Sequence, residues 1–202
     1  MTKIKLCGLR RSDDIDCANA LLPEYVGFVF SQKSSRYVTP QEACLLRQQL
    51  DERITSVGVF VDESPEVIAN LLEQGIIGVA QLHGQETEET IRMLQQRTGR
   101  AVMKAFCIRD AADVAAANKS PADYVLLDAG KGSGKTFDWA LLDEIRRPYF
   151  LAGGLTPENV KDVTLRWRPY AVDASSSLET DGRKDPEKMA AFVNAVRYGK
   201  DA

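Results

Sequence analysis

Short apolar segments rich in Val, Ile and Phe recur along the whole chain, each four to seven residues long and almost uninterrupted by polar residues. Such segments are typical of strands that are covered on both faces, as in a parallel sheet. Eight of them predict strands, at Lys3–Cys7, Tyr25–Phe30, Thr55–Val61, Gly78–Leu82, Ala101–Cys107, Tyr124–Asp128, Tyr149–Ala152 and Tyr170–Ala174.

Amphipathic segments lie between these strands, and most begin with a helix-start signal. Thr39-Pro40-Gln41-Glu42 combines a Thr N-cap, a proline at the first helical position and a glutamate that completes a capping box. Similar starts are Ser12-Asp13-Asp14, Ser64-Pro65-Glu66, Thr156-Pro157-Glu158 and Asp185-Pro186-Glu187. The predicted helices are Ser12–Leu22, Ala43–Leu50, Val67–Leu72, Glu86–Arg97, Val160–Thr164 and Met189–Tyr198, with a short one at Trp139–Ile145.

Strand and helix alternate eight times, roughly every 25 residues, which predicts an α/β fold with right-handed crossovers. Eight units favour a closed (β/α)₈ TIM barrel over an open sheet, although 202 residues is near the minimum for that fold. The sixth unit is reduced, because only a short helix can follow the segment between Asp128 and Trp139. Without a linker or low-complexity tract, residues 1–202 are expected to form a single domain.

Composition excludes several classes of protein. Hydrophobic residues make up 44% and charged residues 27%, which is typical of a globular domain. No apolar run approaches the ~20 residues of a membrane span, and no signal peptide is apparent. A net charge of −3 argues against nucleic-acid binding. One histidine and four widely spaced cysteines predict no metal site and a cytoplasmic, reducing location.

Barrel enzymes carry their chemistry at the carboxyl ends of the strands, so the residues there are the candidates. Cys7 ends the first strand, where its thiolate can act as a base or nucleophile, or the side chain can simply be a small buried hydrophobe. Asp128 follows an apolar strand, where a carboxylate is costly unless it is paired or functional; the alternative is a loop cap.

Two loops at the end of the barrel predict a phosphate site. Gly153-Gly154 follows the seventh strand and Ser175-Ser176-Ser177 the eighth, where barrels often bind phosphate through backbone N–H groups. Ordinary turn chemistry is the alternative. Arg36, on the second loop, can bind a substrate carboxylate with two hydrogen bonds, although most loop arginines are only solvated.

The segment from Ala129 to Thr136, Ala-Gly-Lys-Gly-Ser-Gly-Lys-Thr, is a near match to a nucleotide-binding P-loop. A P-loop normally opens a full-length helix early in its domain, whereas this segment precedes a short helix in the sixth unit. We interpret it as a flexible loop that shapes the active site. Nucleotide binding remains an alternative.

An ordered set of motifs resembles the phosphoribosylanthranilate isomerase family from residue 3 to about residue 192. Each motif is weak alone, but their order and barrel positions are specific. They are Lys5-Leu6-Cys7-Gly8-Leu9, Gly27-Phe28-Val29-Phe30, Lys33-Ser34-Ser35-Arg36-Tyr37-Val38, Val57-Gly58-Val59-Phe60-Val61, Gln81-Leu82-His83-Gly84, Asp128 with Gly132–Trp139, Ala152-Gly153-Gly154-Leu155 and Val172-Asp173-Ala174-Ser175-Ser176.

The resemblance implies the isomerisation of N-(5-phosphoribosyl)anthranilate in tryptophan biosynthesis, a small phosphorylated substrate and no cofactor. The expected oligomeric state is a monomer or weak homodimer. Asp128 resembles the family's general acid and Cys7 its general base. Arg36 resembles the residue that holds the anthranilate carboxylate, and His83 is expected to contribute to binding. The expected phosphate ligands are Gly153, Gly154, Ser175 and Ser176.

One departure concerns the eighth loop, where the familiar Ser-Ser-Gly is replaced by Ser175-Ser176-Ser177. If the last position required a positive φ, Ser177 would be strained by about 1–3 kcal/mol. The alternatives to the isomerase are indole-3-glycerol-phosphate synthase and a catalytically silent phosphate-binding barrel. The synthase normally has an N-terminal extension and catalytic Lys and Glu residues on early strands, whereas this chain has Cys7 there.

Overall fold

A computed structural model of the protein describes residues 1–128 and 139–199. Eight parallel strands form a closed barrel in sequence order, and β8 pairs with β1 to complete it. All eight predicted strands are confirmed to within one residue at each end. They are β1 (Lys3–Cys7), β2 (Tyr25–Val29), β3 (Thr55–Phe60), β4 (Val79–Leu82), β5 (Ala101–Cys107), β6 (Tyr124–Asp128), β7 (Tyr149–Ala152) and β8 (Ala171–Ala174).

Helices connect successive strands on the outside of the barrel. They are α1 (Ser12–Leu21), α2 (Pro40–Gln49), α3 (Pro65–Glu73), α4 (Glu88–Thr98), α5 (Ala111–Lys119), α6 (Val160–Trp167) and α7 (Pro186–Tyr198). The alternation implied α5, but its position was not predicted. A 3₁₀ helix, Trp139–Glu144, lies between β6 and β7, which confirms the reduced sixth unit. A short hairpin, β9 (Glu179–Thr180) and β10 (Arg183–Lys184), follows β8.

Two of the predicted helix starts are confirmed in detail. The Thr39 Oγ1 accepts from the Glu42 N–H at 3.2 Å, and the Glu42 carboxylate accepts from the Thr39 N–H at 2.7 Å. The Asp185 carboxylate likewise accepts from the N–H groups of Glu187 and Lys188. In both helices a side chain therefore caps N–H groups of the first turn.

Two other predicted caps were wrong. Ser12 is not the N-cap of α1, because the cap position is Arg11 and the Asp14 carboxylate accepts from its N–H group at 3.2 Å. Thr156 is not the N-cap of α6, because the chain makes a turn first and the cap position is Asn159. Ser64 does hold the cap position of α3, but its side chain makes no capping hydrogen bond.

The barrel interior is apolar in the middle and closed by aromatic rings at the amino end. Phe150 contacts the rings of Tyr25, Tyr124 and Tyr170, with centroids 5.2 to 5.5 Å apart. The Lys3 ammonium donates to the Tyr170 hydroxyl at 2.7 Å and completes this closure. The amino end of the barrel interior is therefore filled by side chains, whereas a cavity lies at the carboxyl end. Within the described residues, no helix is long and apolar enough to cross a membrane.

Candidate active site

A cavity of about 260 Å³ lies at the carboxyl ends of the strands. It brings together seven of the predicted site residues, although they come from five different strand ends. These are Cys7, His83, Asp128, Gly153, Gly154, Ser175 and Ser176. Other lining residues include Gln81, Asp173 and Ser177.

Cys7 lies at the end of β1 with its thiol held inside the barrel, and it is 8% exposed. Gly27 on β2 faces it so closely that a Cβ at Gly27 would lie 2.6 Å from the Cys7 Sγ, so glycine is required there. Burial raises the pKa of the Cys7 thiol, and the Lys5 ammonium opposes this rise. The resting side chain is therefore a thiol whose ionisation depends on nearby positive charge.

Lys5 is fully buried two residues before Cys7 and was not predicted as a site residue. Its Nζ donates to the Asp173 Oδ2 at 2.8 Å across the β1–β8 junction. Burial acts to lower the pKa of Lys5, but attraction to Asp173 and Cys7 outweighs it and the net shift is upward. Lys5 thus remains an ammonium beside the Cys7 thiol. The signal in the sequence was a lysine in the middle of a short strand, between Ile4 and Leu6.

Asp128 and His83 face each other across the cavity. The His83 Nε2 lies 3.4 Å from the Asp128 Oδ2, and both side chains remain partly exposed. On its other side, the His83 Nδ1 lies 3.3 Å from the Gln81 Nε2. The predicted acid Asp128 is therefore next to an imidazole as well as open to the cavity.

The two predicted phosphate loops lie side by side on the rim of the cavity. Gly153 and Gly154 have φ values of 88° and 69°, which L-residues rarely adopt. The Ser175 hydroxyl donates to the Cys7 carbonyl at 3.0 Å and so ties the eighth loop to the end of β1. A 3₁₀ helix, Ser176–Leu178, follows directly.

The strain considered for Ser177 does not arise. Ser177 lies within this 3₁₀ helix, and its φ is not in the left-handed region. The eighth loop therefore accommodates serine where Ser-Ser-Gly was the familiar pattern.

Arg36 lies beside the cavity, with its aliphatic part over Gly8, where a Cβ would overlap it. Its Nε and Nη2 donate to the two oxygens of Glu179, both at 2.6 Å. The Lys184 ammonium donates to the same carboxylate at 2.7 Å and to the Ser175 carbonyl at 2.9 Å. Burial alone would raise the pKa of Glu179, but these donors outweigh it and bring the pKa to about 2.

Glu179 and Lys184 were not predicted as site residues, because the contact that joins them to the site is with Arg36, which is 143 residues away from Glu179 in the sequence. The P-loop-like segment, residues 129–136, lies outside the described residues.

Among residues 1–128 and 139–199, no cluster of three or more His, Cys, Asp or Glu side chains has the arrangement of a metal site.

The chain is similar over nearly its whole length to known proteins of one family. A family model described as N-(5'-phosphoribosyl)anthranilate (PRA) isomerase matches residues 4–195. A curated relative from Endomicrobium trichonymphae, named N-(5'-phosphoribosyl)anthranilate isomerase, is 42% identical, with 98% of this chain and 99% of the relative covered. The crystal structure of phosphoribosyl anthranilate isomerase from Thermotoga maritima superposes with a TM-score of 0.89 at 35% identity. The match covers 98% of this chain and 100% of the Thermotoga chain.

A second solved structure of phosphoribosyl anthranilate isomerase holds reduced 1-(o-carboxyphenylamino)-1-deoxyribulose 5-phosphate. It superposes with a TM-score of 0.87 at 34% identity and covers 98% of this chain and 100% of its own. The family model, the curated relative and the shared fold all cover nearly the whole chain, and the chain belongs to the phosphoribosylanthranilate isomerase family.

Proposed function

We propose that this chain converts N-(5-phosphoribosyl)anthranilate to 1-(2-carboxyphenylamino)-1-deoxyribulose 5-phosphate, a step of tryptophan biosynthesis. The observation that carries the proposal is the meeting of Cys7 and Asp128 in one cavity, beside two loops suited to phosphate. An isomerisation of this kind needs a proton donor and a proton acceptor directed at neighbouring atoms of one substrate.

In the first step Asp128 donates a proton to the furanose ring oxygen. The bond between that oxygen and C1 breaks, and the lone pair of the anilino nitrogen forms a C=N bond, giving an iminium ion. The His83 imidazole beside Asp128 stabilises the carboxylate that this step produces. The positive charge of the iminium makes the proton on C2 acidic.

In the second step the Cys7 thiolate removes the C2 proton, and the electrons of that bond neutralise the iminium to give an enolamine. Transfer of a proton to C1 and loss of the C2 hydroxyl proton then give the ketone. The Lys5 ammonium supports the thiolate, because it opposes the effect of burial on the pKa of Cys7. We expect kcat/KM to rise with pH as the thiol ionises.

The substrate's two anionic groups have separate binding regions. The phosphate is assigned to the backbone donors of Gly153, Gly154, Ser175 and Ser176, because glycine allows close approach of the main chain. The anthranilate carboxylate is assigned to Arg36, whose Nη1 is the guanidinium nitrogen not directed at Glu179. A cytoplasmic location and a monomer or weak homodimer remain predictions, and light scattering tests the second.

The test is the loss of phosphoribosylanthranilate fluorescence on addition of purified protein. We expect Cys7→Ala and Asp128→Ala each to lower kcat by about 10²- to 10⁴-fold, the usual contribution of general acid–base catalysis. Cys44→Ala is the matched control, because Cys44 lies in α2, and it should keep wild-type kcat. A Cys7→Ala enzyme with near-normal kcat would exclude Cys7 as the base.

A further inference from the structure

Gln81 is a buried polar residue inside the barrel, and the mechanism above gives it no role. It lies on β4 two residues before His83, is 2% exposed and lines the active-site cavity. Its Nε2 is 3.3 Å from the His83 Nδ1, whereas its Oε1 is buried and finds no hydrogen-bond partner among residues 1–128 and 139–199. A buried acceptor without a partner lowers stability, so the orientation of this amide needs an explanation.

The group on the other side of the imidazole determines that orientation. The His83 Nε2 faces Asp128 Oδ2, an oxygen that accepts hydrogen bonds when the carboxyl group is ionised and also when its proton is on Oδ1. The Nε2 atom of a neutral His83 must then carry the proton, and Nδ1 must be the acceptor. An amide nitrogen is therefore required opposite Nδ1, and the Gln81 Oε1 is left without a donor. Turning the amide over would satisfy Oε1 only by moving the imidazole proton away from Asp128.

We infer that Gln81 is a positioning residue that holds His83 in the tautomer with its proton on Nε2. Its effect is exerted on Asp128, so the inference rests on the proposed role of that residue as the general acid. With the Nε2–H directed at Oδ2, the proton of the acid resides on Oδ1. After Oδ1 has delivered that proton, the same Nε2–H stabilises the new carboxylate.

The separation of 3.4 Å between His83 Nε2 and Asp128 Oδ2 is long for a hydrogen bond. Catalytic hydrogen bonds are often long in the absence of substrate and shorten when it binds. A side chain that fixes the proton on Nε2 before the substrate binds means that His83 need not change tautomer during the reaction. Gln81 does this as a neutral group, which leaves the charge of the cavity unchanged.

The experiment uses the fact that the chain contains a single histidine. Long-range ¹H–¹⁵N correlation spectra of the ¹⁵N-labelled wild-type protein at pH 8 report which ring nitrogen carries the proton. Because there is one histidine, its imidazole signals need not be assigned to a residue. We expect protonated Nε2 in the wild-type protein and a mixture of the two tautomers in Gln81→Met. Gln48→Met is the control, because Gln48 is exposed on α2, and its spectrum should match the wild type.

Kinetics separate positioning from a purely structural role. We expect Gln81→Met to lower kcat about tenfold with KM within twofold of wild type, while its melting temperature stays equal or rises because the unpartnered acceptor is gone. In a His83→Asn background the same substitution should have no further effect on kcat. A wild-type imidazole protonated on Nδ1, or an undiminished tenfold loss in that background, would overturn the inference. The tautomer is measured on the resting protein, so this result stands apart from whether the chain is the proposed isomerase.

Discussion

Glu179→Gln removes a carboxylate that accepts hydrogen bonds from both Arg36 and Lys184. The Glu179 and Lys184 side chains are 10% and 1% exposed, and that of Arg36 is 26% exposed. The substitution therefore leaves two cations close together, one of them buried, with only a neutral amide between them. We expect the folded state to lose stability at neutral pH.

The size of the loss follows from the pKa of Glu179, which is about 2 in the folded protein. An unfolded glutamate has a pKa of about 4.3, and this difference corresponds to about 3 kcal/mol. Because Arg36 is partly exposed, solvent screens its attraction to Glu179, and the expected loss of stability at pH 7 is reduced to about 2 kcal/mol. Because the folded pKa is the lower one, the contribution is complete above about pH 4.3 and disappears as the pH falls towards 2; less than half remains at pH 3.

Urea unfolding followed by circular dichroism, at pH 7 and at pH 3, measures this difference. Glu88→Gln is the control, because Glu88 and Arg92 form an exposed pair at 3.5 Å whose removal should change stability by less than about 0.5 kcal/mol. If wild type and Glu179→Gln differ equally at both pH values, the carboxylate charge is not the source of the stability. Equal stability at pH 7 would refute the reasoning altogether.

Three further predictions concern stability and are measured by thermal unfolding. Lys104→Met should destabilise the fold by about 3–5 kcal/mol, because it leaves the buried Glu86 carboxylate without its 2.8 Å partner; adding Glu86→Gln should restore part of the loss. Ser177→Gly should lower stability by about 0.5–1 kcal/mol and not raise it, because Ser177 is in a 3₁₀ helix. Thr39→Ala should cost about 1 kcal/mol through loss of the N-cap of α2.

The barrel and the position of the candidate site residues at its carboxyl end were predictable, because each strand is a short apolar run. Such a run places its last side chain at the rim, and this was sufficient to select Cys7 and Asp128. Helix α5 could not be located in the same way, because Ala111–Lys119 consists mostly of alanine and has little contrast between its faces. Its signal was Asp110, whose carboxylate accepts from two N–H groups of the first turn.

The electrostatic part of the site was not predictable from local pattern. Lys5 lies between two apolar residues of β1, and its charge is balanced by Asp173, which is 168 residues away in the sequence. Arg36 was recognised, but its partner Glu179 lies 143 residues further along the chain. Such pairs follow from closure of the barrel, which the periodicity of a single segment does not encode. The eighth loop could not be predicted in detail for a similar reason. The backbone conformation of Ser177 is set by the 3₁₀ helix that contains it, and the sequence pattern did not indicate that helix.

The junction between β1 and β8 has a consequence for biosynthesis of the protein. Both the ion pair of Lys5 and the hydrogen bond from Ser175 to Cys7 cross this junction and join residues 168 positions apart. Contacts of such high sequence separation form late in folding, because a long loop must first be closed. On the ribosome, Cys7 is synthesised long before Asp173 and Ser175, so the ion pair and the hydrogen bond around it form only after β8 has been synthesised and has docked. A nascent chain therefore completes the surroundings of its proposed catalytic base only late in synthesis.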